Sequence, residues 1–158
     1  MAEFEQPDQT DQPEQLEQWR PDVLGDGFEQ LTLPLGTDDE GEVVATLVRH
    51  TPRRRRWFWE ARGAASDVDV LYVHGWNDYF FNRQLAEFWT NAGARFFALD
   101  LRKYGRSLRA GQTPGYVTDL ATYDADIEAA HSASVSPPVE WPSRMRGRGC
   151  SAGTSVIA

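Results

Sequence analysis

The sequence predicts an α/β fold on an incomplete sheet: an N-terminal β-hairpin, then parallel strands joined by crossover helices. Three observations carry this. Two short β-branched segments flank a polar stretch bounded by Gly36 and Gly41. Two nearly continuous apolar runs, at 68–73 and 95–101, have the length and composition of buried strands. A helix-period segment lies between those runs and another follows the second, the alternation that gives parallel sheets with right-handed crossovers.

Residues 28–33 (FEQLTL) and 42–49 (EVVATLVR) read as the first two strands by their β-branched content. The polar Thr37-Asp38-Asp39-Glu40 between them reads as the turn of a hairpin. Residues 68–73 (VDVLYV) suit a strand covered on both faces. Phe81, Leu85, Phe88, Trp89 and Ala92 then recur at helical spacing and form one apolar stripe, and Gly93 supplies a left-handed stop. Residues 95–101 (RFFALDL) form the next strand, and Val117, Leu120 and Ile127 mark a second amphipathic helix running to about Ala130.

Composition divides the chain of 158 residues into three parts. Residues 1–27 are an acidic leader whose first eighteen residues are rich in Gln, Glu, Asp and Pro. Such a segment buries too little apolar surface to offset its ordering entropy, so it reads as disordered, with an acidic interaction tail as the functional alternative. Residues 28–130 carry the folded pattern. Residues 131–158, rich in Ser, Pro, Arg and Gly, show no clear period, and only Val156-Ile157 begins anything apolar.

Charge narrows the function classes. Twenty-four acidic against sixteen basic residues give a formal net charge of −8, which disfavours a partner bound through its phosphates. No apolar run reaches the roughly 18 residues of a membrane span, and the acidic start resembles neither a secretory signal nor a transit peptide. One cysteine, Cys150, excludes an internal disulfide, and His50, His74 and His131 do not form a zinc-ligand spacing with it. No metal or cofactor is expected, and a reducing cytoplasm is the default compartment. Arg53-Arg-Arg-Arg56 followed by Trp57-Phe-Trp59 could stack on nucleic-acid bases or meet an anionic membrane. In an acidic chain a solvated basic turn with aromatics packed on the sheet is the better reading.

The run Val70-Leu-Tyr-Val-His74-Gly75-Trp76-Asn-Asp-Tyr-Phe-Phe resembles the first catalytic strand and oxyanion loop of the α/β-hydrolases, in their serine aminopeptidase, lysophospholipase and monoacylglycerol lipase-like branch. Ala98-Leu-Asp100-Leu-Arg102-Lys-Tyr-Gly105-Arg-Ser107 is similar to that family's Asp-x-Arg-Gly-x-Gly-x-Ser loop, with Lys103 where the family usually has Gly. Residues 116–128 are similar to the helix before the nucleophile strand. The match spans about residues 28–130, an N-terminal portion of such a domain. It implies that the Trp76 backbone N–H is an oxyanion donor and that His74 braces the loop without acting as the base. Fixed N–H donors suit this task because they need not reorganise. A plain strand-to-helix turn, with Gly75 easing a sharp exit, is the other reading of the same residues. Asp100 and Arg102 read as a structural ion pair at the strand exit, with Arg102 as a substrate clamp in the functional alternative, and Gly105 as a site of positive φ.

Gly149-Cys150-Ser151-Ala152-Gly153 matches the nucleophile-elbow pattern, which makes Ser151 a nucleophile candidate. The elbow requires a buried strand before it, and Arg144-Met-Arg-Gly-Arg148 would bury three guanidinium groups. The seven residues after Ser151 hold no acid and no histidine, so the base and its orienting carboxylate are absent from this chain. The expectation is a truncated or frame-shifted hydrolase-like chain. Its complete parent would cleave small-molecule carboxylic esters, or amides, while this chain alone is inactive. A non-catalytic binding protein on the same scaffold is the alternative. An unfinished sheet would leave an apolar edge prone to self-association.

Overall fold

The computed structural model describes residues 18–52, 63–135 and 153–157. The hairpin forms as its polar turn requires. β2 (Phe28–Asp38) and β3 (Gly41–His50) pair antiparallel from Phe28↔His50 to Asp38↔Gly41. The first strand runs five residues beyond its apolar segment and absorbs an irregularity between Pro34 and Thr37. Pro34, which has no N–H to donate, is tolerated there because the short β1 (Arg20–Pro21) pairs only with Glu29 and Gln30.

β4 (Val68–Val73) leads through α1 (Arg83–Asn91) to β5 (Arg95–Asp100), and β4 and β5 pair parallel with Val73 opposite Leu99. β3 joins the other side of β5 antiparallel, Thr46 opposite Asp100. α2 (Tyr123–Val135) follows, and β6 (Gly153–Ile157) pairs parallel with β4 from Val68↔Gly153 to Tyr72↔Ile157. The result is a mixed sheet in the order β1-β2-β3-β5-β4-β6. The tail read as lacking any period thus contributes a strand, and the second helix runs five residues past Ala130.

Strand alternation divides the core between the two helices. Leu31, Leu33, Ala45, Leu47, Leu71, Phe97 and Leu99 face the side that holds Ala130 of α2. Phe28, Val48, Val70, Phe96 and Ala98 face the side that holds Ala86 of α1 and Phe80, which is fully buried.

Each helix packs only part of the apolar face its sequence suggested: Leu85 and Trp89 of α1 and Ile127 of α2 lie partly buried against the core. In α1 the buried positions are Ala86 and Thr90, flanked by Leu85 and Trp89, whereas Phe88 is exposed and Phe81 lies outside the helix and is exposed. Small side chains at 86 and 90 let the helix axis approach the sheet, and Thr90 satisfies its hydroxyl on the Ala86 carbonyl at 2.9 Å. Asn82 caps the helix by accepting from the Leu85 N–H, and Gly93 ends it at φ +99°. α2 buries Asp126, Ala130 and Ser134, one stripe at i, i+4 and i+8, while Leu120 precedes the helix in a 3-10 turn and is exposed. Arg95 ties the far end of α2 to the sheet, donating to the Ser134 carbonyl at 3.1 Å while paired with Asp69.

His50 ends β3 stacked on Phe28, with ring centroids 4.4 Å apart, and its Nδ1 lies 2.9 Å from the Thr90 hydroxyl. That hydroxyl donates to Ala86, so Nδ1 is the donor in this contact. Burial pushes the His50 pKa below its ordinary value, with Glu87 opposing and Arg83 adding to the shift. A depressed value means that the folded chain binds fewer protons than the unfolded one. The stability held by His50 is therefore present above the unfolded-state pKa and lost as pH falls through the folded one. The urea midpoint of the wild type should fall more steeply below neutrality than that of His50→Gln; equal slopes would contradict this.

Candidate functional site

Parallel pairing of β4 with β5 brings two chain exits to one rim of the sheet. β4 leaves at His74 and β5 leaves just past Asp100, and one side chain ties them together. His74 is buried, and its Nε2 accepts the Leu101 backbone N–H at 3.1 Å. Because Nε2 is the acceptor, Nδ1 carries the proton and donates to the Gly75 carbonyl at 2.7 Å. The ring sits edge-on to Tyr104 at 4.8 Å, and the Trp76 ring meets the same tyrosine at 6.2 Å.

Gly75 does not use the left-handed conformation open to glycine. Its φ is not positive, and a Cβ there would meet nothing within 4 Å. The left-handed residue is Asn77 at φ +59°, and Asn is among the few side chains that tolerate this region. Among the described residues none accepts a hydrogen bond from the backbone N–H of Trp76 or Asn77. Successive donors in such a turn form a concavity suited to an anion.

The expected Asp100–Arg102 pair does not form. On a continuing strand residues two apart would share a face, but β5 ends at Asp100, and past that end the two side chains go to different sides of the sheet. Arg102 turns toward α2, where Asp126 accepts its Nε–H at 2.7 Å and its backbone N–H at 2.8 Å and pairs with its terminal nitrogen at 2.6 Å. With its guanidinium buried on Asp126, Arg102 is not presented to a substrate. Asp100 turns toward α1. Its Oδ1 accepts the Phe80 N–H at 2.7 Å, and its Oδ2 accepts from Arg106, at 3.2 Å from the backbone and 2.8 Å from the guanidinium. Arg106 also donates to the Phe80 carbonyl and grips Asp22 through two bonds of 2.7 and 2.9 Å. Burial alone would lower the Arg106 pKa, but Asp22 and Asp100 outweigh it and the net shift is upward.

Gly105 has φ +45°, and a Cβ would run into Tyr79 and the Asp100 carboxylate. Gly105→Ala should therefore destabilise the chain by about 1–3 kcal/mol, through strain and overpacking together. Gly75→Ala should stay within about 0.5 kcal/mol of the wild type, as an uncrowded surface substitution does. Chemical denaturation of the pair checks this, and equal losses at both sites would contradict the assignment.

Asn77, Asp22, Arg106 and Asp126 were not singled out from the sequence. Helical spacing placed Asp126 on α2, but no local signal marks which of Arg102, Arg106 and Arg109 pairs with which carboxylate. Ser151 lies outside the described residues, as do Arg53–Arg56 with Trp57 and Trp59, and residues 1–17. The described strand nearest Ser151 follows it in the chain, and its first residue, Gly153, pairs with Val68 at the end of β4 away from His74. Among the described residues no group of three His, Cys, Asp or Glu side chains could hold a metal ion, and no helix is long and apolar enough to cross a membrane.

No family model matches the chain, and neither a curated protein nor a solved structure matches it.

Proposed function

We propose that this chain carries the N-terminal portion of an α/β-hydrolase-type domain, of the serine aminopeptidase, lysophospholipase or monoacylglycerol lipase-like branch. The complete parent hydrolyses carboxylic esters, or amides, through a serine nucleophile. One observation carries the reading. The bend after β4 holds the N–H groups of Trp76 and Asn77, which have no acceptor among the described residues, beside the β5 exit, and His74 locks the two exits together. An antiparallel hairpin followed by a parallel β4–α1–β5 unit is the arrangement that the resemblance implies. Lys103 adds weight: it stands where the family has Gly, and its φ of +60° is in the region that favours Gly.

In this role the bend stabilises the negative oxygen of a tetrahedral intermediate, a contribution of about 3–4 kcal/mol per donor. The serine requires a histidine to take its proton and a carboxylate to orient that histidine, both following it in the chain. Residues 152–158 hold neither, and the bend supplies the anion-holding part of this chemistry.

Reading the nucleotide sequence past codon 130 in its other two frames tests the parentage. An apolar strand ending in Gly-x-Ser-x-Gly, followed by an Asp and a His, is expected; its absence from both frames counts against the proposal. A fluorophosphonate probe should leave Ser151 unlabelled and p-nitrophenyl esters unhydrolysed. Turnover lost on Ser151→Ala would overturn the inactivity of the chain. The exposed rings of Trp76, Tyr79 and Phe81 on the same rim favour a second reading, a non-catalytic binding protein. Its mark would be a ligand whose binding is lost on Trp76→Ala and indifferent to Ser151→Ala.

A further inference from the structure

Lys103 combines three features that rarely occur together. Its backbone is left-handed at φ +60°, its side chain is wholly buried, and its ammonium ends between two carboxylates of a distant element. Asp38 and Glu40, at the tip of the β2–β3 hairpin, lie 2.6 Å each from Nζ, and the Tyr116 ring lies 5.1 Å away. A buried ammonium persists only where opposite charge and hydrogen bonds replace its water, as they do here.

Both sides of the contact respond. The hydrogen bond from Lys103 holds the carboxyls of Asp38 and Glu40 below their ordinary range, with Thr113 helping at Glu40 and Arg102 adding slightly at Asp38. Burial would push the Lys103 pKa down, but the bonds to Asp38 and Glu40 prevail and it rises.

The same hairpin tip holds the whole loop that follows. Glu40 accepts the Thr113 N–H at 3.2 Å, Gln112 donates to the Glu42 carbonyl at 2.8 Å, and the Lys103 carbonyl accepts the Gly115 N–H at 3.0 Å. The next residue after Lys103 is Tyr104, the ring on which both His74 and Trp76 rest.

We propose that the acidic hairpin tip positions the anion-holding bend from a distance. Asp38 and Glu40 fix Lys103, Lys103 fixes the seat of Tyr104, and Tyr104 fixes His74 and Trp76. This explains a lysine where a glycine would be unstrained. Glycine satisfies the backbone, but only a long cation also reaches the hairpin. Lys103 is a positioning residue, and the functional consequence rests on the reading of the bend given above.

Lys103→Gly separates the two roles, because it keeps the left-handed backbone and deletes the tie. In the full chain labelled with 15N, the Trp76 indole and Asn77 amide resonances report on the bend, the former assigned with Trp76→Phe. Methylphosphonate serves as the anionic probe. Lys103→Gly should shift both resonances and weaken phosphonate binding by on the order of fivefold or more. Lys103→Arg, which keeps the charge, should restore much of both. Glu40→Gln should shift the same resonances in the same direction, and it supplies the test should Lys103→Gly fail to fold. Unchanged Trp76 and Asn77 resonances in Lys103→Gly, or in Glu40→Gln, would overturn the proposal. If the wild type binds phosphonate and Lys103→Gly binds it equally, the positioning claim fails while the anion site stands. If the resonances move but the wild type binds no phosphonate, the anion site fails and the positioning claim stands.

Discussion

Asp126→Ala should destabilise the folded chain by about 3–5 kcal/mol, the cost of leaving a buried charge without its partner. Asp126 is fully buried on α2, takes two hydrogen bonds from Arg102, one from Nε and one from the backbone, and pairs with its terminal nitrogen at 2.6 Å. Deleting the carboxylate strands that guanidinium between helix and sheet, where water cannot replace it without opening the core. It also leaves the Arg102 N–H unpaired at the β5 exit. The loss is large against the 5–15 kcal/mol that separates most folded domains from their unfolded chains. Replacing both partners at once, Arg102→Met with Asp126→Leu, should recover most of it, because an apolar pair of similar volume carries no desolvation penalty. Urea denaturation at constant slope measures both variants. A loss below about 1 kcal/mol for Asp126→Ala would place the pair among weak surface bridges instead.

Asp100→Ala should cost a similar amount, about 3–5 kcal/mol, for a different reason. Asp100 is the hub where three segments meet. It accepts the N–H of Phe80 from the loop before α1, two donors of Arg106 from the loop after β5, and through Arg106 it is linked to Asp22 ahead of β2. Its removal orphans the Phe80 N–H beneath a fully buried ring and leaves Arg106 with Asp22 as its one remaining carboxylate partner among the described residues. Asp100→Asn should lie between the wild type and Asp100→Ala, since one amide oxygen can still accept from Phe80. Asp22→Ala combined with Asp100→Ala should fall short of the sum of the two losses, because the two carboxylates share one guanidinium. Strict additivity would contradict a single network.

What the sequence disclosed follows from where its residues were apolar. β4 and β5 are continuous hydrophobic runs because helices cover both faces, so their position and parallel pairing could be read directly. The hairpin was legible from its polar turn. The helices showed their presence but only part of their buried faces. Phe81 and Phe88 completed a periodic stripe yet stand in solvent, while α1 meets the sheet through Ala86 and Thr90. On α2 Ile127 packs against the core as its apolar pattern suggests, but the most buried stripe is Asp126, Ala130 and Ser134, which that pattern does not reveal, because one of its members is buried by an ion pair.

The site was legible to the same depth. His74 and Trp76 could be placed at a strand exit, since that depends on local order. The partners of Asp100 and Arg102 could not, since pairing depends on which side of the sheet each side chain enters. Gly75 drew attention as a turn residue, but Asn77 takes the left-handed conformation two positions later. Lys103 stood out only as a departure from a glycine. The contact with Asp38 and Glu40, more than sixty positions away in the chain, gives that departure its reason.

The most direct measurement of the central claim is a titration of the 15N-labelled chain with methylphosphonate, followed at every backbone amide. Saturable shifts concentrated at Trp76 and Asn77, with smaller ones at Gly75 and Leu101, are the expected result. Shifts spread evenly over the surface, or none at Trp76 and Asn77 while Arg-rich regions respond, would contradict an anion-holding bend.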